Sequence, residues 1–222
     1  MELPILESLR WLHILSGSAA LLAGPLAMLK QDGGRFHRRS GLVYFWSMLV
    51  IFITSMVLSL ARENWFLFMV GLFSCYLVVT GYRALSLKML HRGQKAERFD
   101  WVLLFLSSLA TLGLFTSGAW FFLKEQNSFG IVPLVFGIVM GSGVRKDYRR
   151  FTVPPTEKNH WLIRHITSMM GGYIATVTAF LVQNVSTRPA FVAWLLPTLV
   201  ITPLIVLTVR KIKKGKGKIA LP

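Results

Sequence analysis

Residues 8–60 read SLRWLHILSGSAALLAGPLAMLKQDGGRFHRRSGLVYFWSMLVIFITSMVLSL, and this segment contains the pattern from which the fold class can be inferred. Two apolar runs, 8–29 and 41–60, flank a short basic turn at 30–40. Each run is close to the ~20 helical residues that cross a hydrocarbon core about 30 Å thick. The stretch therefore predicts two membrane-spanning helices joined by a basic connection.

The same alternation continues to the end of the chain. Apolar residues make up 54% of the 222 residues and charged residues 15%, whereas a soluble domain carries about 25% charged residues. The sequence predicts an all-α, polytopic transmembrane bundle of about seven helices, forming one integral membrane domain over 1–222. The further predicted spans are 65–85, 101–123, 130–144, 161–182 and 190–209. The span 130–144 is the shortest, since ~15 residues barely cross the bilayer.

Basic residues are sorted between the two ends of the predicted spans. Of the 25 Lys and Arg, 21 fall in every second gap or in the tail, and four lie in the other gaps. An excess of Lys and Arg marks cytoplasmic loops, so the N-terminus is predicted to lie outside and the C-terminus in the cytoplasm. Residues 210–222 are predicted to form a flexible polybasic tail. The expected partners of this face are membrane lipids with anionic headgroups, and the sorting gives no support for nucleic-acid binding beyond the net charge.

Histidine and serine residues within or beside the predicted spans are the polar groups that indicate a ligand-binding site. Asp, Glu, Lys and Arg are absent from the middle of every predicted span, which counts against an ion-coupled transporter. Two histidines lie about one turn inside the first and sixth spans, and each is followed three residues later by a serine. A small amphipathic ligand or lipid is predicted to bind between the first, second and sixth spans. The candidate residues are His13, Ser16, His37, Arg38, His165 and Ser168.

Simpler interpretations of these residues stay open. A histidine near a helix end can hydrogen-bond a backbone carbonyl without binding any ligand. The basic turn at 30–40 can act as a topology signal that touches anionic lipid. A membrane scaffold without a ligand is therefore a second alternative for the whole protein, and no catalytic residue is predicted.

A further alternative is an electron-transfer membrane protein that binds haem or quinone. Haem b is the most specific cofactor hypothesis for such a protein. Ligation by two histidines needs imidazoles on facing helices at a similar depth. His13 has no histidine partner on its side of the membrane, and the possible partners of His165 are predicted to lie in or beside loops. These partners are His37, His91 and His160. No cofactor is therefore predicted. No metal site is predicted either, because the inner histidines with Asp147 or Glu157 lack tight zinc-ligand spacing.

Several motifs resemble those of the domain-of-unknown-function 2306 family of bacterial multi-pass membrane proteins. They are His13 through Gly24-Pro25, then Gly34, His37-Arg38-Arg39, Gly41 and Tyr44; Gly81-Tyr82-Arg83-Ala84; Asp100-Trp101; and the segment from His165 to Asn184. The resemblance implies a protein of the bacterial cytoplasmic (inner) membrane whose activity is unassigned. The residues of this chain that match positions in the family motifs are His13, His37, Arg83, Asp100 and His165. The resemblance implies no established role for any of them.

Arg83 and Asp100 are predicted to form an ion pair. Arg83 closes the third predicted span and Asp100 opens the fourth on the same face of the membrane. A charge near the membrane is costly unless it is paired, so we expect this pair to join the two spans in a structural rather than a catalytic role.

Overall fold

A computed structural model describes residues 4–30 and 33–214. This part of the chain folds into seven long helices and contains no strand. Each helix is long and apolar enough to cross a membrane, which confirms the predicted all-α bundle of seven spans. The helices are α1 (Pro4–Leu29), α2 (Arg35–Ala61), α3 (Trp65–Arg83), α4 (Arg98–Leu123), α5 (Ile131–Thr152), α6 (His160–Asn184) and α7 (Phe191–Lys213).

Several helices extend beyond the apolar runs that predicted them. α2 begins at Arg35 rather than near residue 41, and α5 ends at Thr152 rather than near residue 144. Hydropathy marks only the part of a helix that lies in hydrocarbon, whereas backbone hydrogen bonding continues into the headgroup layer. α7 reaches Lys213, so the first residues of the predicted 210–222 tail are helical. Residues 215–222 of that tail lie outside the described part of the chain.

Contacts between the helices show that helices consecutive in the chain run antiparallel. His37 at the start of α2 lies against Ala27 near the end of α1, and His13 lies against Thr54 farther along α2. We call the end where α2, α4 and α6 begin and α1, α3, α5 and α7 finish the basic end of the bundle. Its placement in the cytoplasm stays a prediction.

α3 lies at the centre of the bundle, in contact with α2, α4, α5 and α6. One apolar cluster fills the space between α3, α4 and α5, and another fills the space between α1, α2 and α3. Buried members of the first include Phe73, Leu114, Phe136 and Met140, and those of the second include Ala20, Tyr44, Met48 and Val78.

α6 packs closely against α3 through small residues. Ser168 is fully buried, and a Cβ added at Gly172 would lie 2.7 Å from Val78 Cγ2 and 3.0 Å from Tyr44 Oη. Lipid tails are as apolar as the side chains, so helices in a membrane associate largely through such close van der Waals contact.

We expect Gly172→Ala to lower the free energy of unfolding by about 1–3 kcal/mol, because the new methyl group must displace Val78 and Tyr44. Gly17 on α1 is the matched control, since nothing lies within 4 Å of a Cβ added there. Gly17→Ala should therefore leave stability unchanged or raise it by up to about 1 kcal/mol, the helical advantage of alanine. Denaturant unfolding in detergent micelles measures both, and equal stabilities would contradict the α3–α6 packing.

Candidate functional site

A large cavity opens between α1, α2, α3 and α6 at the basic end. Its volume is about 790 Å³, within the range of roughly 300–1,000 Å³ that is usual for small-molecule sites. Its wall is mostly apolar and contains several glycines. The basic side chains that line it are His37, Arg38, Lys88 and His165.

His37 is oriented by α1. Its Nδ1 lies 2.9 Å from the backbone oxygen of Ala27. A carbonyl oxygen can only accept, so Nδ1 carries a proton and donates it to this bond. The neutral imidazole then keeps its lone pair on Nε2. Since α2 begins at Arg35, His37 lies in the first turn of this helix, and the prediction that it lies in a loop is wrong.

His165 is oriented in the same way by α3. Its Nδ1 donates to the backbone oxygen of Gly81 across 2.9 Å, which again leaves the lone pair on Nε2. The ring centres of His37 and His165 are 6.3 Å apart, and their planes make an angle of 73°. Two imidazoles, one on α2 and one on α6, therefore lie close together at the cavity.

The six predicted ligand-binding residues divide into two groups. His37, Arg38 and His165 line the cavity, and the Arg38 Nε donates to the backbone oxygen of Gly33 across 2.9 Å. The structure does not bring His13, Ser16 and Ser168 to this cavity. His13 Nδ1 instead lies 2.9 Å from the Thr54 hydroxyl, and Ser168 is buried where α6 meets α3.

Two further histidines lie beside the segment that carries Lys88. His91 Nδ1 and His160 Nε2 approach the backbone oxygen of Lys88 at 3.0 and 3.3 Å. The Lys88 ammonium lies 4.7 Å from the centre of the Trp161 ring, where the face of the ring attracts a cation. These contacts position Lys88 at the cavity.

Arg83 and Asp100 form two parallel hydrogen bonds that join α3 to α4. The Arg83 Nε and Nη2 atoms donate to the two oxygens of Asp100 at 2.9 and 3.0 Å. Asp100 also accepts from the backbone nitrogen of Glu97 and so closes the first turn of α4. The carboxylate is buried but fully engaged, which is the condition for holding a charge there.

A buried charge cluster joins three helices at the basic end, and the sequence did not predict it. Asp147 of α5 is 1% exposed. Its carboxylate accepts hydrogen bonds from Tyr76 of α3 at 2.7 Å and from Arg164 of α6, and it pairs with Arg150 at 3.0 Å. Arg164 also donates to Thr80 of α3. We call Tyr76, Thr80, Asp147, Arg150 and Arg164 the charge cluster.

The sequence feature that could have predicted the charge cluster is a single acidic residue among basic residues. Asp147 is the one carboxylate between Arg145 and Arg150, and Arg150 follows it at the i+3 spacing that places two side chains on one helix face. Ending the predicted span at residue 144 placed both residues in a loop, where a charge needs no partner. The helix continues to Thr152 and brings them against α3 and α6.

We expect Asp147→Ala to lower the free energy of unfolding by about 3 kcal/mol or more, because it leaves buried arginines without a counter-charge. Glu157→Ala is the matched control. Glu157 pairs with Lys213 at 2.8 Å, but both side chains are half exposed, so its loss should cost less than about 1 kcal/mol. Unfolding in detergent micelles gives both values, and similar losses would show that the charge cluster does not hold the helices.

Comparison of the chain with models of protein families, with curated proteins and with solved structures found no match. The resemblance to the domain-of-unknown-function 2306 family therefore stays a prediction. Function has to be inferred from the geometry of the cavity and its lining side chains.

Proposed function

We propose that this protein binds a small amphipathic molecule with an acidic group in the cavity between α1, α2, α3 and α6. The observation that supports this most is the composition of the cavity wall, which is apolar over most of its area and basic at a few points. Binding sites for small molecules have this design, with an apolar wall for affinity and a few polar groups for orientation.

The apolar part of the ligand would lie against α6 and the end of α1. Met28, Leu162 and Ile166 line this side of the cavity, together with Met169 and Met170. Methionine is flexible and polarisable, so it adapts to ligands of irregular shape. A ligand that dissolves in the membrane could bind this wall.

The acidic part of the ligand would lie between α2 and the segment after α3. Arg38 and Lys88 line the cavity from these two elements. A guanidinium binds a carboxylate or phosphate through charge-assisted hydrogen bonds, and an ammonium adds a second positive charge. The imidazoles of His37 and His165 line the same cavity.

The setting of this site follows from the charge pattern. The basic residues at this end favour a cytoplasmic location by the positive-inside rule. The resemblance to the domain-of-unknown-function 2306 family implies that the membrane is the inner membrane of a bacterium. Anionic lipid headgroups are the partners that this face attracts. We assign binding and no reaction to the cavity.

The first test places a large side chain in the cavity at a position where it does not disturb the packing of the helices. A Cβ added at Gly41, which lines the cavity, meets nothing within 4 Å, and the same is true at Gly17, which does not line it. We expect Gly41→Phe to abolish saturable binding of dansyl-undecanoic acid, a carboxylate with an apolar chain, because the ring occupies the binding volume. Gly17→Phe should bind like the wild type. Energy transfer from tryptophan to dansyl in nanodiscs measures binding.

The acidic group is tested with a second variant. Arg38→Gln should weaken binding of the same probe about tenfold, since a hydrogen bond to a charged group contributes about 1.5 kcal/mol. Unchanged binding in Gly41→Phe would refute the cavity as the site. Unchanged binding in Arg38→Gln would refute recognition of the acidic group.

A further inference from the structure

We infer that the natural ligand of this cavity is a b-type haem whose iron is bound by Nε2 of His37 and Nε2 of His165. This inference depends on the proposed function, because it names the ligand of the same cavity. Four observations support it: the separation of the two rings, their hydrogen bonds, the room around them and the charges nearby.

The separation of the rings fits ligation on opposite sides of one iron. In such a site each nitrogen lies about 2 Å from the metal and each ring centre about 1 Å farther, which places the centres roughly 6 Å apart. The observed distance between the ring centres of His37 and His165 is 6.3 Å. A tetrahedral metal ion would bring the two centres to about 5 Å. The pair therefore suits axial haem ligation better than a zinc site.

The hydrogen bonds of both rings hold Nε2 ready to bind a metal. Metal-binding histidines usually donate their other N–H to a carbonyl or carboxylate, which fixes the tautomer and the ring orientation. His37 donates to Ala27 and His165 donates to Gly81, each across 2.9 Å. Within residues 4–30 and 33–214, neither Nε2 atom makes a hydrogen bond.

The other histidine pair at this end lacks these features. The ring centres of His91 and His160 are 5.7 Å apart. His160 uses its Nε2, not its Nδ1, towards the backbone oxygen of Lys88, which His91 also approaches. Two rings that share one carbonyl do not face each other across an iron. The arrangement of His37 and His165 is therefore not a general consequence of histidines lying at the basic end.

The surroundings provide space for the macrocycle and cations for its two propionates. Gly33, Gly34 and Gly41 line the cavity on the α2 side, and residues without side chains leave room for a flat ring. Arg38 directly follows His37, and Lys88 lies across the cavity, so both cations are near the iron ligands. Propionates paired with them would point towards the basic end, where water can reach them.

The ligation also limits what the haem can do. Two imidazoles fill both axial positions of the iron, so no position stays open for oxygen. A haem held in this way is suited to carrying an electron rather than to binding oxygen.

The experiment starts from the full chain, expressed with added 5-aminolaevulinic acid and purified in mild detergent. We expect about one b-type haem per chain by the pyridine haemochrome assay, with the optical and electron paramagnetic resonance spectra of six-coordinate low-spin ferric iron. His37→Ala and His165→Ala should each lose this low-spin signal and lower haem content at least tenfold. Size-exclusion chromatography confirms that the variants are folded.

His13→Ala is the matched control, because His13 also lies on a helix with its Nδ1 bound to a polar partner but does not line the cavity. It should keep the full haem content. The inference is overturned if the wild type contains no haem and shows no spectral change when titrated with hemin. It is also overturned if either ligand variant keeps the low-spin spectrum. Should haem be absent while Gly41→Phe still abolishes binding of dansyl-undecanoic acid, the proposed function stands and only the haem assignment fails.

Discussion

The bond between Asp147 and Arg164 holds the basic end of the bundle together. A carboxylate that is 1% exposed keeps its charge only while its partners stay in place. Arg164 satisfies this requirement and also donates to Tyr76 and Thr80 on α3. One guanidinium of α6 therefore fixes α3 and α5 relative to each other. Sliding or rotating α6 would break all of these bonds at once.

The position of the cavity follows from this constraint. Arg164 and His165 are consecutive, so they point about 100° apart around α6. While Arg164 faces the charge cluster, His165 reaches the Gly81 carbonyl and the cavity. α2 brings His37 to the same cavity from the other side. A structural contact of α6 thus positions the candidate ligand residue that follows it in the sequence, and the two roles lie on neighbouring residues.

The sequence predicted the spans because length and hydropathy are local properties. It predicted the partners Arg83 and Asp100 because one closes a span and the other opens the next span on the same face of the membrane. It missed the charge cluster and misplaced His37 for one shared reason. Hydropathy ends a helix where polar residues begin, whereas α2 and α5 continue through their polar ends. The meeting of His37 and His165 depends on how distant helices pack, which no local pattern contains. His13 and His165 occupy similar sequence contexts, yet only His165 lines the cavity.

We propose that His37 and His165 face one ligand across a cavity whose geometry the charge cluster sets. This claim can be checked in a cryo-electron microscopy map of the full chain in nanodiscs, prepared from cells supplied with a haem precursor. The map should show flat density joined to Nε2 of both histidines, with Arg164 in contact with Asp147. The claim is contradicted if the two imidazoles pack directly against each other, or if lipid chains alone fill the space between them.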